Sequence, residues 1–244
     1  MLEIQPQLQI ALLFIGAFAA AAISGSAGFS GALLLLPLLT AVVGPKEAVP
    51  LLTVAQLFGN FSRAGFGFKQ IQWKPVAWFL FGAIPLSLVG AISFVRLPAS
   101  VITRGIGIAV LVFAVLKYFH ILDFRPSKRL LVIGGGVTGL LSGLVGSAGP
   151  VGAAVFLSLG LPPVAYVASE ASTALAMHAV KTIVYGSMLK LDNEFWMLGA
   201  LLGVAMIAGT WAANRVISHV SQEGFERYVL VLLSVLAGYL IFHG

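Results

Sequence analysis

The sequence predicts an all-α integral membrane protein built from two similar halves. Hydrophobic residues make up 59% of the 244-residue chain and charged residues only 9%, against roughly 25% charged residues in soluble domains. Residues 4–45 and 130–169 contain no charged side chain, and about 20 apolar residues in a helix cross a bilayer. Similarity between residues 8–120 and 130–243 indicates a tandem duplication.

The duplication is visible in a repeated tetrapeptide. GSAG occurs at residues 25–28 and again at 146–149, an offset of 121 that places Gly31 on Gly152. At an offset of 123, Glu47 falls on Glu170. We therefore predict a first membrane repeat at 1–122, a polar linker at 123–129 and a second membrane repeat at 130–244.

Each repeat contains five hydrophobic segments. The second segment of each is short, so it either crosses obliquely or enters and returns as a re-entrant hairpin. The first interpretation gives ten crossings, and the alternative gives eight crossings plus two hairpins. The segments run over 8–24, 28–43, 47–67, 75–95 and 101–120 in the first half, and 130–145, 149–161, 164–188, 195–215 and 224–243 in the second.

The basic residues favour ten crossings, because Lys and Arg collect on the cytoplasmic side. With ten crossings the basic residues divide nine to four between the two sides, and with hairpins they divide eight to five. Lys181 is left out because it lies inside a segment. The nine are Arg63, Lys69, Lys74, Lys117, Arg125, Lys128, Arg129, Arg215 and Arg227, and the four are Lys46, Arg96, Arg104 and Lys190.

Five crossings per half have a topological consequence. The second half must insert upside down, which makes an inverted-topology repeat, whereas four crossings per half would make a parallel repeat. Inverted repeats are typical of secondary transporters, in which one half rocks against the other and a central site opens alternately to each side.

The duplicated glycines predict a binding site at the centre of the bundle. Glycine can interrupt a helix, and interrupted backbone at membrane depth is tolerated where it lines a cavity. A helix that restarts there directs free N–H groups and its positive dipole end at the cavity, which favours an anion. The candidate residues are Gly25, Ser26, Gly28, Ser30 and Gly31 in the first half and Gly146, Ser147, Gly149 and Gly152 in the second.

Ionisable residues within the segments add to this site, because such residues are costly in a bilayer and usually functional. Lys181 lies far from both ends of its segment and is the expected partner of the substrate charge. Thr173 and His178 lie on the same helix, and Asn60 lies in the comparable segment of the first half. Glu170 is expected near the interface, with proton coupling as its functional role.

Several other classes of function lack their residues. The chain contains no cysteine, its four histidines are scattered, and it has no P-loop, so neither a metal site nor ATP hydrolysis is indicated. The net charge of +6 is explained by cytoplasmic basic residues and does not indicate nucleic acid. We expect no cofactor, a small anionic substrate and membrane lipid as partners, and leave a homo-oligomer open.

Two blocks carry a resemblance to a known family. GSAGFSGALLLLPLL is followed by EAVPLLTVAQLFGN, and GSAGPVGAAVF is followed by SEASTALAMHAVKTIVY. This pattern resembles the TauE/SafE family of sulfite and organosulfonate exporters, also called the toluene-sulfonate uptake permease family, over nearly the whole chain. The resemblance implies a multi-pass transporter of the bacterial inner membrane that moves sulfite, sulfoacetate or a related sulfonate and is not an enzyme.

Two alternatives belong to other classes. A membrane-embedded enzyme would use Glu170 and His178 on a lipid-derived substrate, but no clustered acid-base pair accompanies them. A permease for another small anion or for a metal cation is the second alternative. A metal permease would need acidic or histidine ligands at the centre, where the sequence places Lys181, which repels cations.

Overall fold

The computed structural model describes residues 6–27, 31–98, 101, 126–146 and 148–217. Over these residues the chain forms eight α-helices and no strand, as the sequence predicts. The predicted segment at 101–120 (apart from residue 101), the segment at 224–243 and residues 123–125 of the linker lie outside the described residues. The helices are α1 (Pro6–Ala27), α2 (Gly31–Val43), α3 (Pro45–Phe66), α4 (Trp73–Arg96), α5 (Lys128–Val145), α6 (Gly149–Leu157), α7 (Pro163–Met188) and α8 (Asn193–Ile217).

Four of the described helices are long and apolar enough to cross a membrane: α1, α4, α5 and α8. Their outward faces carry large apolar side chains such as Phe81, Ile133 and Met197, which are 73%, 65% and 72% exposed. Exposed apolar surface of this kind is suited to lipid. The chain is therefore a multi-pass membrane protein.

The two short helices occupy the positions of the doubtful second segments. α2 has 13 residues and α6 has nine, which correspond to roughly 20 and 14 Å at 1.5 Å per residue. Both are shorter than a hydrocarbon core of about 30 Å. The helical part of either segment is therefore too short to cross the bilayer by itself.

Glycines set the closest helix contacts. Along α5, Gly135, Gly139 and Gly143 lie directly against the backbone of α4 at Phe79, Ala83 and Gly90–Ala91. A side chain at any of these positions would meet main-chain atoms of the neighbouring helix. The glycine-rich run at 134–146 is thus a packing surface, in keeping with the small-residue contacts of membrane helices.

The contacts also give the directions of the helices. From α4 to α5, Gly82 lies against Val132 and Gly90 lies against Leu140, so these helices run parallel. α1 and α8 are parallel by the same criterion, as are α3 and α8. α4 and α7 are parallel as well, since Gln72 bonds Ser169 near their starts and the Phe94 ring lies 5.4 Å from that of Tyr185 near their ends.

α3 and α7 run in opposite directions, because Gly67 contacts Val164 and Ala168 while Arg63 contacts Glu170. α2 returns antiparallel to α1, and α6 returns antiparallel to α5. The helices therefore form two sets. α1, α3, α6 and α8 point one way, and α2, α4, α5 and α7 point the other way, so each helix of the first half is antiparallel to its counterpart in the second.

The helix boundaries give a register between the two halves that differs from the predicted one. α2 and α6 start at Gly31 and Gly149, and α3 and α7 start at Pro45 and Pro163. Both pairs are 118 residues apart, not 121 or 123. At this offset Gly25 falls on Gly143 and not on Gly146, so the helix boundaries do not superimpose the two copies of the tetrapeptide.

Two apolar clusters hold the bundle together. One joins buried residues of α1, α2, α3 and α8 with the ends of α4 and α7, and includes Leu13, Leu39 and Leu202. The other joins α4, α5, α6 and α7, and includes Phe79 and Phe156. Each cluster thus contains the first three helices of one half and the fourth helix of the other. Most of the buried polar residues lie on the facing surfaces of α3 and α7.

Candidate functional site

A cavity lies where the broken helices meet α3 and α7. Its volume is about 40 Å³. A single water molecule needs roughly 10–15 Å³. Its walls are the ends of α1 and α5, the starts of α2 and α6, and the facing sides of α3 and α7. The cavity has room for a small polar molecule.

Equivalent residues of the two halves line this cavity. At the offset of 118, four pairs contribute, one member from each half, and all eight residues border the cavity. The pairs are Ser24 with Ser142, Gly31 with Gly149, Gln56 with Ala174, and Asn60 with His178. The site is therefore formed by both halves together.

The two short helices begin at the cavity. Gly31 starts α2 and Gly149 starts α6, and both border it. Ala148 precedes α6 without a side-chain cap. The first N–H groups of a helix have no partner within it and carry the positive end of the dipole. The starts of the two short helices, at Gly31 and Gly149, therefore border the same cavity.

Arg63 and Glu170 form an ion pair beside the cavity. Arg63 Nη1 lies 3.5 Å from Glu170 Oε2 and 3.4 Å from the main-chain oxygen of Ser24, and Arg63 Nη2 donates to Asn60 Oδ1. Arg63 is 6% exposed and Glu170 is 4% exposed. Each buried charge is thus compensated by the other.

This ion pair corrects two expectations. Arg63 was counted among the basic residues outside the membrane, and Glu170 was expected at the interface. Both expectations were wrong, because antiparallel packing of α3 against α7 brings the two residues together inside the protein. Without Arg63 the basic residues divide eight to four, which still favours ten crossings.

Lys181 is fully buried, with 0% exposure, as its distance from both segment ends predicts. Its Nζ lies 2.9 Å from Ser142 Oγ, 3.3 Å from Ser142 O and 3.5 Å from Gly146 O. These oxygens belong to the last turn and the cap of α5, where a cation is favourable. Lys181 is not among the residues that border the cavity; it holds the end of the helix that does.

Arg63 and Lys181 are equivalent at the offset of 118. Each donates to the main-chain oxygen of the serine 39 residues before it, Arg63 to Ser24 and Lys181 to Ser142. Each basic side chain thus binds the end of the helix that precedes the short one. An offset of 121 places Lys181 on Asn60 and an offset of 123 places it on Phe58, so neither reveals this relationship.

The remaining predicted residues have different places. Gly25 packs on Thr210 and Ala213 of α8, and Gly152 packs near Thr138, so neither borders the main cavity. Thr173 donates to the main-chain oxygen of Glu170 at 2.7 Å, a contact within its own helix. Gly28, Ser30, Ser147 and the side chain of Ser26 lie outside the described residues. Gly31, Asn60, Gly146, Gly149, Glu170 and His178 border the cavity.

The sequence analysis missed several cavity residues. Ser24, Gln56, Thr138 and Ser142 border the cavity with Arg63, but none was proposed for it. Arg63 had a detectable signal, because an alignment at 118 places it on Lys181. Thr138 and Ser142 lie within the glycine-rich packing run, where small polar side chains usually serve helix contacts.

The described residues contain no group of three His, Asp or Glu side chains that could hold a metal ion. Arg63 and Glu170 border the cavity with His178, and Lys181 binds the end of α5 beside it. Cations outnumber carboxylates in this set.

A family model described as sulfite exporter TauE/SafE matches residues 12–240 of the chain, which is nearly its whole length. Comparison with curated proteins and with solved structures gave no match.

Proposed function

Because the chain belongs to the TauE/SafE sulfite exporter family, a family of membrane transporters, we propose that it is a secondary transporter of a small sulfur-containing anion. Sulfite, sulfoacetate and related organosulfonates are the proposed substrates, and the bacterial inner membrane is the proposed location. The observation that carries the proposal is the cavity, where the starts of α2 and α6 meet between Asn60 and His178.

The charges around the cavity support an anion. Arg63 is balanced by Glu170 at 3.5 Å, while Lys181, bound to the end of α5, adds a positive charge. The positive dipole ends of α2 and α6 lie at the cavity, although in the first turn of α6 Pro150 has no N–H and the Val151 N–H donates to Ala148 O at 3.1 Å. A metal cation would be repelled by the same groups, which disfavours the metal permease.

The helix directions support a ten-crossing inverted repeat. α1 and α3 are parallel, and so are α5 and α7, through their contacts with α8 and α4. α1 and α3 can be parallel only if α2, between them, takes the chain back to the side of the membrane where α1 began. The same holds for α5 and α7 with α6 between them. A re-entrant hairpin at α2 or α6 would make these pairs antiparallel. A full crossing of each short segment therefore fits better than a hairpin.

The two ends of the site differ in how tightly they are packed, and this difference supports alternating access. Toward the end of α3, Arg63 borders a second, smaller cavity of about 10 Å³ that also touches Phe66, Thr210 and Asn214. Toward the end of α7, the equivalent region is filled: the Tyr185 hydroxyl donates to Gly143 O at 3.2 Å, and its ring packs on Phe94.

An exchange of these two local arrangements gives the opposite state of the transporter. In that state Lys181 would border the cavity as Arg63 does here, and the Phe94–Tyr185 contact would open. Inverted repeats produce two such states from one architecture. Glu170, paired with Arg63 at the side with the smaller cavity, is the proposed coupling residue.

The function is tested by counterflow in proteoliposomes. Vesicles with the purified chain are preloaded with unlabelled isethionate, and the entry of radiolabelled isethionate is measured against protein-free vesicles. Sulfite, sulfoacetate and lactate are then added as competitors. We expect protein-dependent entry that sulfur oxyanions inhibit. Uptake of a divalent metal without any anion flux would overturn the proposal.

A further inference from the structure

Three buried nitrogen atoms at the cavity have no hydrogen-bond partner among the described residues: Gln56 Nε2, Asn60 Nδ2 and His178 Nδ1. Their side chains are 3%, 1% and 6% exposed, and all three residues border the cavity. A buried polar atom without a partner is rare in folded proteins. Glu170 Oε2 at the same cavity has no hydrogen bond either, but it lies 3.5 Å from Arg63 Nη1. The three nitrogens therefore indicate that the occupant accepts hydrogen bonds.

The placement of these nitrogens suits a group with three acceptors. Gln56 and Asn60 are four residues apart on α3 and therefore share one face of that helix. His178 lies on α7 at the position equivalent to Asn60, so its donor approaches from the other half. The two amides are donors, and the imidazole is a donor when Nδ1 carries its proton. A sulfonate has three oxygens, whereas a carboxylate has two.

The charge balance limits the charge of the occupant. The Arg63–Glu170 pair, at 3.5 Å, is neutral as a unit. Lys181 has no carboxylate within 4 Å among the described residues and binds only oxygens of Ser142 and Gly146. The residue equivalent to Glu170 in the first half is Leu52, so the site has one acidic side chain. One positive charge remains uncompensated.

We propose that, among these candidate substrates, the cavity selects singly charged sulfur oxyanions with three oxygens, such as alkylsulfonates and bisulfite, over dianions such as sulfoacetate, and that Glu170 sets this charge limit. This inference rests on the proposed function of an anion carrier. A monoanion balances Lys181. A dianion would bring a second negative charge against the Glu170 carboxylate, with no further cation to compensate it.

The test uses three competitors in the counterflow assay. Methanesulfonate has one charge and three oxygens, acetate has one charge and two oxygens, and sulfate has two charges. For the wild-type chain we expect methanesulfonate to inhibit at least about tenfold better than either of the others. In Glu170→Gln the site gains one positive charge, so inhibition by sulfate should improve at least about tenfold relative to methanesulfonate.

Ser172→Ala is the matched control on the same helix, because its hydroxyl bonds the main-chain oxygen of Ala168 and does not border the cavity. It should leave both ratios unchanged. Equal inhibition by sulfate and methanesulfonate in the wild-type chain would overturn the inference while the transport function stands, and this comparison needs no variant. An unchanged ratio in folded Glu170→Gln would remove its assigned role. Absence of any wild-type uptake would instead overturn the proposed function.

Discussion

Arg63 and Lys181 occupy equivalent positions in the two halves, and each binds the main-chain oxygen of a serine 39 residues earlier. Their surroundings differ in one respect. Arg63 has Glu170 at 3.5 Å, whereas Lys181 has only neutral oxygens from Ser142 and Gly146. Equivalent cations therefore have different energetic roles, and substitutions should separate them.

Arg63→Gln should strongly destabilise the protein. It leaves the Glu170 carboxylate buried without its counter-ion, and breaking a buried pair typically costs about 3–5 kcal/mol. The double substitution Arg63→Gln with Glu170→Gln should recover at least about 2 kcal/mol of that loss. A double-mutant cycle of SDS- or urea-induced unfolding in detergent measures both. Additive effects of the two substitutions would show that the ion pair contributes no coupling.

Lys181→Gln should affect transport far more than stability. No described carboxylate depends on Lys181, and a glutamine can still donate to Ser142, so the unfolding free energy should change by about 1 kcal/mol or less. Isethionate counterflow should fall at least about tenfold, because the uncompensated positive charge near the cavity is removed. A correctly folded variant with wild-type flux would contradict the assigned role of Lys181 in anion transport.

The glycine contacts between α4 and α5 predict a stability difference. A Cβ at Gly143 would lie 2.6–2.7 Å from main-chain atoms of Ala91 and Gly90, so Gly143→Ala should cost about 1–3 kcal/mol or more through overpacking. Gly65 on α3 has nothing within 4 Å of a built Cβ. Gly65→Ala should be neutral or stabilise by roughly 0.5–1 kcal/mol. Thermal unfolding in detergent compares them, and equal melting temperatures would argue against the close α4–α5 contact.

The cap of α5 gives a prediction that separates backbone strain from function. Gly146 and Gly160 both have positive φ angles, 82° and 59°, so alanine at either position should cost roughly 1–2 kcal/mol. Gly146 also borders the cavity and faces Val49, whereas Gly160 has open space around it. Gly146→Ala should therefore reduce isethionate flux and Gly160→Ala should not. Similar flux in the two variants would contradict a role of the α5–α6 break in binding.

The difference between the two ends of the site can be followed with thiol reagents, since the chain contains no cysteine. Thr210→Cys lies beside the smaller cavity, and Val184→Cys lies in the packed region near Tyr185. Without anion we expect faster labelling at position 210. Isethionate should change the two labelling rates in opposite directions, because alternating access opens one end as the other closes. Parallel changes at both sites would contradict alternating access.

Labelling of Lys69→Cys, in the turn between α3 and α4, is the control for reagent access. Its rate should not respond to isethionate, since the residue is exposed and outside the site. A response there would indicate a general effect of the anion on the reagent or the vesicle.

The sequence by itself determined that the protein lies in a lipid bilayer and that its fold is all-α. Low charge content and long apolar stretches predict membrane-spanning helices, because a helix satisfies its own backbone groups within the bilayer. It also placed Lys181 inside the protein and the glycine breaks at the centre, and its motifs identified the family. These properties depend on composition and on positions along one segment, which a sequence displays directly.

Only the tertiary structure decided which residues meet. The pairing of Arg63 with Glu170 joins side chains more than a hundred residues apart, and it follows from antiparallel packing of α3 on α7. The register of 118 follows from helix starts at Gly31 and Gly149, which the repeated tetrapeptide obscured by three residues. Buried ion pairs and the equivalence of positions depend on the direction and the rotation of each helix. Apolar segments of similar composition give little indication of helix direction or rotation.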